Sequence, residues 1–188
     1  MAPVERQRKL PDLHGGQRKL PDFHLHALRL EGQGSRLFFQ HVVDPYSVLR
    51  DSSERVLDAL YPRTLEHAET EIPPIRTISL LLAEIDGVAY TKGSDLDNDH
   101  KEIVLSTKYL ESVYENSGKD SKRLKHEIEG VLTHEIVHVF QYDGEGSLPG
   151  GVIEGIADWV RNEAHLGPPH WTEAPGAHEK WDAGYQTT

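Results

Sequence analysis

The sequence predicts an α+β fold, with an N-terminal mixed or antiparallel sheet packed on helices supplied mainly by the C-terminal half. Most strand-like patterns fall before residue 107 and the longest helix-periodic segments after residue 120. That segregation marks α+β rather than an alternating parallel sheet. At 188 residues, 37% hydrophobic and 27% charged, the chain has the size and composition of one globular domain.

The elements follow in order. "QRKLPD" occurs at Gln7–Asp12 and again at Gln17–Asp22, and with its basic residues, proline and glycine the segment 1–22 reads as a flexible basic tail. The domain then spans 23–188. "FHLHALRLEG", from Phe23, alternates as a strand does. In "DPYSVLRDSSERVLDALYP", Asp44 caps a helix, Pro45 fits its first turn, and Val48, Leu49, Val56, Leu57 and Leu60 keep helical spacing up to Pro62. "IRTISLLLAEIDG" predicts a core strand that turns at Asp86-Gly87 into "VAYT", and Lys101–Thr107 a further strand. The intervening "DLDNDHKE" lacks the glycine and distal glutamate of a calcium loop and reads as an exposed acidic turn. Asp120 or Ser121 caps a long helix to about Tyr142. A second helix runs from about Val152 to His165 and stops at Gly167-Pro168-Pro169.

Composition excludes several functions. No cysteine is present, so disulfides and thiolate metal ligands are ruled out. No apolar run reaches membrane-spanning length. The net charge of −11 argues against nucleic acid and anionic membranes as partners. The first residues lack the apolar core of a secretory signal, which points to the cytoplasm.

Within "GVLTHEIVHVFQYDG" stands the motif "HEIVH". In a chain holding 12 histidines, chance would produce H-E-x-x-H in roughly 7% of cases, so the surroundings must decide. On a helix, positions four apart lie about 40° apart around the axis, so His134 and His138 share a face and can share a metal ion. Leu124, Ile128, Val131, Leu132 and Val139 form an apolar stripe, and Glu135 falls near its middle. Burying an unpaired carboxylate costs several kcal/mol, so a cation and a bound water are the better reason for a glutamate there.

A catalytic zinc site takes three protein ligands and a water. Along "GGVIEGIADWVRNEAH", Val152, Ile153, Ile156, Ala157 and Val160 share one face, and Glu154, Asp158, Arg161 and His165 the other. Gly151 and Gly155 flank the polar face, as close approach of another backbone would require. Glu154 is the expected third ligand, with Asp158 accepting a hydrogen bond from the second nitrogen of a ligating histidine. His165 and Asp158 are the alternative third ligands.

"HEIVHVFQYDG…PGGVIEGIADWVR" resembles the plant basic secretory proteins and their fungal and bacterial relatives, a metallopeptidase family grouped with the zincins. "DGVAY", "DNDHKEI" and "KWDAGYQTT" resemble further segments of those proteins. The resemblance implies a zincin-like fold, zinc (Zn2+) held by His134 and His138, and a catalytic Glu135. The spacing of Glu154 and Asp158 resembles the gluzincin pattern. It also implies secretion, although plant members are basic and this chain is acidic. Relatives run on past "GYQTT", so the expectation is of a C-terminally short domain.

The reaction expected is hydrolysis of a peptide or protein substrate. Zinc would activate its water and polarise the scissile carbonyl, with Glu135 as general base. Tyr185 is the candidate second donor to the oxyanion, with His165 and His170 behind it. Glu102–Ser106 could offer a strand edge to an extended substrate, but it reads first as core strand. The competing readings are an inactive metal-binding relative that acts as a binding or effector protein, and a zinc hydrolase of non-peptide substrates.

Overall fold

A computed structural model describes residues 18–42, 44–62, 71–169 and 171 of the chain. Alternation in "DFHLHA" builds strand β1, Asp22–Ala27, with Phe23, Leu25 and Ala27 packed on the core and His24 and His26 exposed. Strand β2, Thr77–Ala83, buries Ile78, Leu80 and Leu82 completely. Strands β3, Ala89–Gly93, and β4, His100–Ser106, complete a sheet in the order β1-β2-β4-β3. The first three neighbours are parallel and β3 is antiparallel to β4, so the sheet is mixed and the architecture α+β. The parallel register lines up Leu25, Leu80 and Ile103, and next to them Ala27, Leu82 and Leu105, on one face.

The strand order bears out the reading of Glu102–Ser106 as core strand and not as an edge for substrate. Glu102–Ser106 belongs to a central strand bonded on both sides, and the free edge on that side is β3. Ile103, Val104 and Leu105 are all buried, the mark of a strand covered on both faces. Asp86-Gly87 does turn the chain, with Gly87 at φ +87°, but β3 pairs with β4 and not with β2.

Helix α1, Gln33–His41, and helix α3, Thr107–Asn116, were not expected from the sequence. The strand beginning at Phe23 ends at Ala27, and Leu28 and Leu30 stand exposed before α1 begins. Gly34 lets α1 lie on the start of α3: a Cβ there would come within 2.2 Å of the Thr107 carbonyl oxygen. Ser106 caps α3 by accepting from the Tyr109 amide at 3.2 Å.

Helix α2, Pro45–Leu60, has the predicted Asp44 cap, which accepts from the amides of Tyr46 and Ser47 at 3.0 and 3.1 Å. Helix α4, Ser121–Phe140, is capped by Asp120. Every member of its predicted apolar stripe is buried, and so are Ile136, Val137 and Phe140. The rod is buried nearly all round because α2, α3, α5 and β3 all pack on it. Helix α5 runs Gly150–Glu163, two residues earlier at each end than expected.

Its polar face is only partly solvated: Glu154 and His165 are exposed. Asp158 and Arg161 are among its buried residues. Arg161 pairs with buried Glu127 of α4 at 3.0 Å and donates through Nε to the Leu166 carbonyl at 2.9 Å. Tyr109 of α3 donates to the same carboxylate at 2.8 Å. Gly130 makes this crossing possible, because a Cβ there would sit 2.6 Å from Arg161 Nε and from the Leu166 oxygen. Gly155, by contrast, faces open space, so close backbone approach is not its reason.

The segment read as a tail is part of the fold at its C-terminal end. Leu20 packs on the core, Arg18 pairs with Asp58 at 3.2 Å, and Asp22 opens β1. Residues 1–17, with the first "QRKLPD", lie outside the described residues. In the acidic turn, Asp97 accepts from the amides of Asp99 and His100 and pairs with Arg76. None of the described helices is long and apolar enough to cross a membrane.

Candidate metal centre

One turn of α4 and the first turns of α5 bring the predicted residues together. His134 Nε2 lies 3.1 Å from His138 Nε2 and 3.1 Å from Glu154 Oε2, and His138 Nε2 lies 3.6 Å from Glu154 Oε1. One atom from each of the three falls within 4.8 Å of the others, so the group could hold a metal ion. The histidine side chains are 16% exposed and Glu154 57%, which leaves the carboxylate as the accessible side of the group.

Further contacts hold each ring by its other nitrogen. Asp158 Oδ1 lies 2.9 Å from His134 Nδ1, as expected for a carboxylate that orients a ligand. Gln141 Oε1 lies 2.5 Å from His138 Nδ1, and its amide nitrogen donates to the Ile153 carbonyl at 3.1 Å. Glu135, 5% exposed, accepts from the Thr91 hydroxyl of β3 at 2.7 Å.

The electrostatics follow from this packing. Burial lowers the His134 pKa, but hydrogen bonds to Asp158 and Glu154 outweigh it and push the value up to about 9. Burial raises Glu135 above the usual carboxylate range, against the pull of the Thr91 hydroxyl and the two histidines. The hydrogen bond from His134 holds Glu154 below that range.

These groups line a cleft of about 1040 Å³, walled by β3 at Ala89–Thr91, by α4 at His134–His138, by α5 at Glu154–Asp158 and by Trp171. His165 is not with them; it is exposed beyond the end of α5 at φ 59°. Tyr185 and His170 lie outside the described residues. Thr91 and Gln141 were not singled out by sequence reasoning. The only signal for Gln141 was its place three residues after the second histidine.

No curated protein and no solved structure matches the chain. The family model described as "Peptidase of plants and bacteria" matches residues 20–188, a span that carries the sheet, both site helices and the cleft. The chain therefore belongs to that family, BSP, the peptidases of plants and bacteria.

Proposed function

We propose that this chain is a zinc-dependent peptidase in which His134, His138 and Glu154 hold the ion and Glu135 is the general base. The observation that carries this is the convergence of two imidazoles and one carboxylate within 4.8 Å, beside a buried glutamate in the same cleft. Two nitrogens and one oxygen from protein, with one position left for water, are a donor set that catalytic zinc takes. Zinc when bound would lower the pKa of its water to about 7 and polarise the scissile carbonyl.

The residues supply the rest. Glu135 takes a proton from the attacking water and delivers it to the leaving amine as the C–N bond breaks. Its burial makes it a stronger base than an exposed glutamate. The Thr91 hydroxyl fixes one carboxylate oxygen, so the base is held before substrate arrives. Asp158 holds His134 in one orientation. An extended peptide would lie along β3, the edge strand that borders the cleft, pairing through its main chain. Tyr185 is our candidate second donor to the developing oxyanion.

The test is Glu135→Gln assayed on a peptide library alongside zinc analysis. The variant should keep its zinc and lose hydrolysis by a factor of roughly 10²–10⁴. Undiminished hydrolysis with zinc in place would refute Glu135 as the base. Zinc without hydrolysis in the wild type would favour a binding role for the same site.

A further inference from the structure

Gln141 ends α4. Its amide N–H still donates to the Val137 carbonyl at 2.8 Å, but φ −77° and ψ 145° are extended, so the main chain leaves the helix there. The side chain turns back to His138 and also reaches across to α5. Its two ends meet different partners: Oε1 at 2.5 Å from His138 Nδ1, and Nε2 at 3.1 Å from the Ile153 carbonyl.

Those partners determine which end is which. A main-chain carbonyl only accepts, so the end facing Ile153 must be the NH2 group. The end facing His138 is then the oxygen, which also only accepts, and the proton must be on His138 Nδ1. A neutral imidazole protonated there carries its lone pair on Nε2. Nε2 is the atom that faces His134 Nε2 and Glu154. Ile153, whose carbonyl takes the other end, is the residue directly before Glu154.

We infer that Gln141 is a positioning residue: one neutral amide selects the tautomer that presents His138 Nε2 to the metal group and ties it to the backbone that carries Glu154. This rests on the metal-centre reading above. It gives the two histidines unlike anchors, the Asp158 carboxylate for His134 and an amide for His138.

The experiment pairs a zinc competition titration with long-range 15N–1H spectra of the imidazoles in chelator-treated full-length protein, at a pH where the His138 ring is neutral. Wild-type His138 should show its proton on Nδ1. Gln141→Met keeps the side-chain length and removes both hydrogen bonds; it should mix the two tautomers and lower zinc affinity about 10- to 100-fold. Gln141→Glu keeps the acceptor and should keep the Nδ1–H signature. The inference is overturned if Gln141→Met changes neither tautomer nor affinity, or if Gln141→Glu loses the signature as Met does. A wild type that binds no zinc would refute the proposed function, while the His138 spectra would still report on Gln141.

Discussion

His134 sits between two carboxylates, and that is its most consequential property. Without an ion in the group, its pKa is about 9 against 6.5 for an unperturbed histidine. A folded-state value above the unfolded one stabilises the fold fully below about pH 6.5 and loses that contribution as pH rises through about 9. Chelator-treated protein should therefore lose stability on the order of 2–3 kcal/mol from this group across that window. Denaturant midpoints measured along the window check this, and a flat profile would show that His134 is not held by Asp158 and Glu154. His134, Glu135 and His138 were legible in the sequence because one helical motif carries all three. Glu154 was legible because one turn of a second helix set it beside Asp158. Thr91 and Gln141 were not, because their partners, Glu135 for one and Ile153 for the other, are far away in sequence and only the folded chain brings them near.

The two site helices owe their spacing to a glycine that sequence reasoning passed over. Gly130 on α4 lies under the Arg161 guanidinium, whereas Gly155 on α5 meets nothing within 4 Å. Gly130→Ala should cost about 1–3 kcal/mol through overpacking. Gly155→Ala should be neutral or stabilising by up to about 1 kcal/mol, because it replaces a mid-helix glycine in open space. Thermal or denaturant unfolding of the two variants checks the pair, and the opposite ranking would overturn this view of the α4–α5 contact. Gly155 looked like the site of close approach in the sequence because only its own helix was in view. Helices α2 and α4 were recognisable from caps and long apolar periods, and α5, which has no side-chain cap, from its apolar face and the stop at Gly167-Pro168-Pro169. Helix α1 was not: it is short, contains Gly34, has no side-chain cap and buries only Leu37 and Phe38 as large apolar residues. Helix α3 starts directly from β4, with Ser106 ending one element and capping the next.

Across the molecule, the faces of the strands were readable and their order was not. The period-two pattern of β1 and the apolar run of β2 say which residues turn inward, but nothing local says that β4 inserts between β2 and β3. That insertion makes β3 the edge, and its Thr91 then reaches Glu135 from across the cleft. The sheet, the buried rod of α4 and the clamp of Glu127 on Arg161 thus hold α5 where Glu154 meets the two histidines. A zinc competition titration of the wild type, Glu154→Ala and His165→Ala measures that convergence. The wild type should bind one ion per chain, Glu154→Ala should weaken binding at least about a hundredfold, and His165→Ala should leave it within about twofold. A wild type without stoichiometric zinc, or a Glu154→Ala variant that binds as tightly as the wild type, would contradict it.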